Sequence, residues 1–234
     1  VDRNRLYQDP DLNGRPGTGV NQHTVADYRN RLGLNTEPRI LRVPHDSGLT
    51  VNDPVSRIPA ANRHGFSDEE LNQPIGQAIG MQPHQLDGSN VQDHLDRAGG
   101  GGYNHNTGVT TLDDRTDDNT LYHELGHQRQ NQDGFNDSNT NRMALEYHNV
   151  IHHENTGPAA NPNQPRIDYG LGRGPLYPRP GETWDAMRNH PSNTPQTNQV
   201  LDQIAQTTNG MPDGPLIRQN LTTQYFRYQR EQNP

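Results

Sequence analysis

The sequence predicts an α+β fold: a small sheet, two prominent helices rich in His and Glu, and many irregular loops. Three observations lead there. Residues 108–112, Gly-Val-Thr-Thr-Leu, form a short apolar run after a glycine cluster and read as a strand. The stretch that follows puts Leu121 and Leu125 at helical spacing, and residues 140–154 put Met143, Tyr147, Val150 and Ile151 on one face of a second helix. Hydrophobic residues are only 27% of the 234-residue chain, so the core is small and much of the length is turn-rich.

Taken in order, residues 1–22 are rich in Asp, Asn, Gly and Pro and read as a linker or surface arm, ahead of a single domain over 23–234. Residues 25–32 predict a helix stopped by Gly33. Residues 39–43, Arg-Ile-Leu-Arg-Val, predict a strand that ends at Pro44. Short helices are expected at 68–71 and 75–81, and another at 91–98. The glycines at 99–102 are read as a flexible loop, with a mobile cleft rim as the alternative. Past the second His-rich helix, residues 155–180 show no clear period. Trp184, the only Trp, is expected as a core anchor. Val200, Leu201 and Ile204 suggest a helix ended by Asn209-Gly210, and residues 216–228 fit a last helix.

The chemistry concentrates in His123-Glu124-Leu125-Gly126-His127. On a helix, positions i and i+4 share a face, so two imidazoles can meet one zinc ion. Glu124 stands beside them as a general base for a water that the metal activates. Asp117, Asp118, Asn119 and Thr120 offer N-caps just ahead. A third ligand is required. Glu146 follows His127 at gluzincin-like spacing and sits near an apolar helix face, where a carboxylate needs a partner. Asp133 stands where a metzincin places its third ligand, but Gln130 occupies the glycine position of that pattern. Glu154 is a further competitor. A donor must also meet the charge that develops on a substrate carbonyl. Arg166 and Tyr169 are the candidates, with Tyr147, His148, His152 and His153 as alternatives.

Composition narrows the classes. There is no Cys, which excludes disulfides and thiolate metal sites. The net charge of -8 gives no support to nucleic-acid binding, and no apolar run approaches membrane-spanning length. All 20 basic residues are Arg. Drift in composition explains this as well as an advantage in lacking ubiquitin acceptors inside a eukaryotic cytosol. Equal half-lives there, with and without introduced surface Lys, would favour drift.

The segments Leu121-Tyr122-His123-Glu124-Leu125-Gly126-His127, Leu145-Glu146-Tyr147-His148-Asn149, Glu154-Asn155 and Arg166-x-x-Tyr169 resemble the NleD-type zinc metalloprotease effectors. Animal and plant pathogens inject these into host cells. The resemblance implies a zincin-like fold with a strand leading into the metal helix, the strand's edge pairing with substrate. It also implies zinc on His123, His127 and Glu146, and Glu124 as catalytic base. The Arg-x-x-Tyr arrangement is similar to that of clostridial neurotoxin light chains, where such residues assist the transition state; this adds weight to Tyr169. The expected partner is a protein substrate such as a host MAP kinase, met by a secreted monomer in the target-cell cytosol. The polar run Gln128-Arg129-Gln130 departs from the pattern. The start at Val1 suggests a domain cut from a larger toxin, for which a bacterial competitor is the alternative victim. The rival readings are a metzincin-like peptidase using Asp133 and a zinc-stabilised binding module without catalysis.

Overall fold

The computed structural model describes residues 20–98, 100–154 and 178–232. The expected arm at 1–22 therefore lies outside the described residues except at its end, where Val20 donates to the Ala61 carbonyl at 2.6 Å and Asn21 caps the first helix. The fold is α+β, with one four-stranded mixed sheet and several helices. The chain divides into two compact units, residues 1–132 and 133–234.

The first unit opens with helix α1, Gln22–Leu32. The Asn21 side chain accepts from the His23 and Thr24 amides, and Gly33 ends the helix with φ of 62°. That left-handed cap is the reason for glycine at this point. Strand β1, Arg39–Val43, follows, and then the two-residue strand β2, Arg63–His64. Helices α2, Ile75–Ala78, and α3, Val91–Arg97, lie along a turn-rich excursion. Strands β3, Gly101–Asn104, and β4, Val109–Asp113, complete the sheet, and helix α4, Asp118–Gln132, ends the unit.

The sheet order is β2-β1-β4-β3, with β1 and β4 parallel and the outer pairings antiparallel. The central strands are buried along nearly their whole length, although β1 carries two Arg and β4 two Thr and an Asp among their apolar residues. Alternation sorts their side chains. Ile40 and Leu112 face Val25, Tyr28, Leu121, Tyr122 and Leu125 from α1 and α4. Leu41, Val43 and Val109 face Val51, Val55, Ile58, Ile75, Val91 and Leu95. The sheet is thus the shared wall of two apolar clusters, and α4 lies against one side of it.

Two expectations change here. β4 is an inner strand flanked by β1 and β3, so its edge is not free to pair with a substrate; the edge on that side belongs to β3. The glycine run is not wholly a loop either, because Gly101 and Gly102 form strand and pair with Leu112 and Thr111. A Cβ at Gly101 would meet Leu112 Cδ2 at 2.6 Å and the Thr111 carbonyl oxygen at 3.1 Å. Glycine stands there because β3 and β4 pack closely.

Among the described residues, the second unit is helical. It holds α5, Arg142–His152, α6, Trp184–Arg188, α7, Pro195–Thr208, and α8, Gly214–Gln232. Its core joins Phe135, Leu145, Tyr147, Ile151, Met187, Leu201, Ile204, Leu221 and Tyr225. Trp184 is only partly buried and packs against this core from outside; Met187, one turn later, is the buried anchor of α6. Among the described residues no helix is long and apolar enough to cross a membrane.

Candidate metal centre

Helix α4 carries the His-Glu-x-x-His residues; Leu121, Tyr122 and Leu125 pack it on the sheet, and polar side chains anchor both of its ends. Asp117 caps it, with Oδ1 accepting from the Thr120 amide at 2.9 Å. Arg42 projects from the α4-facing side of β1 and is almost fully buried. It donates to the Thr116 carbonyl at 2.8 Å and to Asp118 Oδ1 at 2.6 Å, tying the helix start to the sheet. Burial pushes the Asp118 carboxyl above its ordinary value; Arg42 opposes that shift and Asp117 adds to it. At the other end, Arg129 donates to the Leu32 and Gly33 carbonyls at the C-terminus of α1, where the helix dipole favours a cation. Gln128 and Gln132 each reach Thr36 Oγ1 at 3.2 Å. Asn131 donates to the Tyr103 hydroxyl at 3.1 Å, linking α4 to the outer strand β3.

These anchors fix the orientation of the metal face. His123 and Glu124 are buried and His127 is half-buried. The Nε2 atoms of His123 and His127 lie 3.1 Å apart, with ring planes at 87°. Two zinc-bound nitrogens at ordinary bond lengths and a tetrahedral angle lie about 3.3 Å apart. The pair therefore already has the bite that one ion requires. On the opposite side of its ring, His127 places Nδ1 at 2.8 Å from Gln130 Oε1.

Glu146 stands on α5, whose start is capped by Asn141 accepting from the Met143 and Ala144 amides. It is buried, and Oε1 lies 3.6 Å from Arg142 Nε one turn before it. His123, His127 and Glu146 each offer one ligand atom, and all three atoms lie within 4.8 Å of one another, so the group could hold a metal ion. The donor set suits zinc: two imidazole nitrogens and one carboxylate oxygen, with a coordination position left for water. Asp133 is exposed and Glu154 half-buried, and neither belongs to this group.

The candidate oxyanion donors Arg166 and Tyr169 lie outside the described residues. Of the alternatives, Tyr147 packs in the apolar core of the second unit. His148 pairs Nε2 with Gln203 Oε1 at 2.9 Å and stacks on His152, with ring centroids 4.3 Å apart. Burial pulls the His152 imidazole below its ordinary value. Sequence reasoning missed Arg42 as the seat of the metal helix and read Gln130 only as a missing glycine. An Arg inside the apolar run 39–43 and a polar residue three positions after the second His were the available signals.

No protein-family model, curated protein or solved structure matches the chain.

Proposed function

We propose that the protein is a zinc-dependent endopeptidase that hydrolyses a protein substrate. The observation that carries this reading is the convergence of His123, His127 and Glu146 within 4.8 Å, with Glu124 next in sequence to the first ligand. The order in which β4 leads into α4 also suits the zincin-like arrangement expected of such enzymes. Zinc, when bound, supplies Lewis acidity that polarises the scissile carbonyl and lowers the pKa of water. His123, His127 and Glu146 would hold the ion. Glu124, mostly shielded from bulk solvent, takes a proton as the water oxygen bonds to the carbonyl carbon. It returns that proton to the amine as the carbon–nitrogen bond breaks. Tyr169, with Arg166 nearby in sequence, is proposed to meet the oxyanion.

The resemblance to NleD-type effectors extends the proposal to an injected protein that acts on a host signalling protein, such as a stress-activated MAP kinase, in the target-cell cytosol. The test uses wild-type and Glu124→Gln proteins loaded with zinc and incubated with host lysate, followed by mapping of new N-termini. Wild type is expected to generate new termini, and Glu124→Gln to keep its zinc and generate none. Cleavage by the metal-loaded variant at the wild-type rate would end the mechanism.

A further inference from the structure

We propose that Gln130 is a positioning residue: its side-chain carbonyl selects the tautomer of His127 and thereby presents Nε2 to the metal. This rests on the metal reading above. Gln130 is 1% exposed, and Oε1 lies 2.8 Å from His127 Nδ1. A carbonyl oxygen has no proton to give, so the proton in that contact sits on the ring. With Nδ1 protonated, the neutral imidazole has its lone pair on Nε2, the atom that lies 3.1 Å from His123 Nε2. The ring thus points its Nε2 lone pair toward the place where the ion would sit.

Helical geometry explains why position 130 can do this. Residues three apart share a face, and helical side chains lean back toward the preceding turn, so Gln130 reaches over His127 from behind. Metal-bound histidines commonly donate a hydrogen bond from their second ring N–H to a carboxylate or a backbone carbonyl. Here a neutral amide oxygen accepts that hydrogen bond. It fixes the ring without placing a further negative charge in a buried site that already holds Glu124 and Glu146. An amide also leaves the imidazole less basic than a carboxylate would, so it orients more than it strengthens.

The test measures zinc affinity by competition with a chromophoric chelator. It compares wild type, His127→Ala, Gln130→Met and Gln130→Glu, each checked for fold by circular dichroism. Met keeps the volume of Gln but has no carbonyl, and Glu restores an acceptor. Gln130→Met is expected to bind zinc about 10- to 100-fold more weakly, Gln130→Glu to return to within a few-fold of wild type, and His127→Ala to lose the most. A folded Gln130→Met protein with wild-type affinity, or Gln130→Glu as weak as Gln130→Met, would overturn the role of Gln130 while leaving the metal centre standing. His127→Ala binding as tightly as wild type would overturn the centre itself. Should Gln130→Met fail to fold, nitrogen-edited NMR of zinc-loaded wild type decides. The proton is expected on His127 Nδ1, and a proton on Nε2 refutes the assignment.

Discussion

Helices α4 and α5 both present ligands for the candidate centre, yet they are held in different ways. On α5, Met143, Ala144, Leu145, Tyr147 and Ile151 enter an apolar core with residues of α6, α7 and α8. On α4, Leu121, Tyr122 and Leu125 supply the apolar contact, and the rest is done by Arg42, Asp117, Gln128, Arg129, Asn131 and Gln132. A helix that must turn His123, Glu124, His127 and Gln130 inward has few positions left for Leu or Ile. Polar anchors replace the missing apolar grip. They impose a fixed direction as well, which apolar contact alone does not.

The contrast can be broken most directly by removing one anchor from each region. Leu201→Ala empties a fully buried position in the core around α5 and is expected to cost about 3 kcal/mol. Urea unfolding followed by the fluorescence of Trp184, which packs on that same core, would read it. Arg42→Met is expected to cost about 2 kcal/mol by far-ultraviolet circular dichroism, because it strands the Asp118 carboxylate, which keeps some access to water. Equal tolerance of Arg42→Met and a surface substitution would show that polar anchoring of α4 is dispensable.

Acid sharpens the contrast, since the two regions should weaken in different pH windows. Burial depresses the His152 imidazole, so the unfolded chain binds a proton there before the folded one does. Its contribution to stability is complete above the ordinary His range, near about pH 6.5, and is lost as pH falls below it. Asp113, at the end of β4, behaves otherwise. Burial alone would raise its pKa, but hydrogen bonds from the Arg115 side chain and backbone and from Gln92 hold it well below the usual range. Its contribution is present above about pH 4 and is lost only as pH falls further. His152→Asn should therefore flatten the stability profile of metal-free protein near pH 6, and Asp113→Asn only below pH 4. Identical profiles for both variants would sink the assignment.

The smallest expected effect is that of Gly101→Ala. Its new methyl displaces the end of the Leu112 side chain and presses on the Thr111 carbonyl, for about 1 kcal/mol. A shift in the thermal midpoint of less than a degree would show that the strand yields more easily than the contact distances suggest.

The features that could be read from the sequence are those whose signal is local. Strand β1 and helix α7 announce themselves by period and by their flanking Pro and Gly residues. The start of α4 is marked by Asp117, and its His pair by a four-residue interval. What stayed hidden depends on distant neighbours. Gly101 and Gly102 look like a loop because a glycine shows no side-chain pattern; contact with Leu112 explains Gly101, whereas a Cβ at Gly102 would meet nothing within 4 Å. β4 looked like an edge because its inner partner β1 lies far upstream in the chain. Trp184 outweighs Met187 by size, but the packing of α6 turns Met187 inward. Spacing and helix context mark Glu146 as a candidate ligand, and it lies in the group that could hold an ion. Gln130 was passed over because its meaning depends on which ring nitrogen it faces.

The parallel pairing of β1 with β4 carries a kinetic consequence. Arg39 aligns with Val109, so residues 44–108 must be looped out before the two strands can meet. The histidine pair needs only one helical turn and can form early, whereas the wall behind it waits for a long-range closure. A nascent chain would thus expose a half-made cation trap before it owned a platform to hold it rigid.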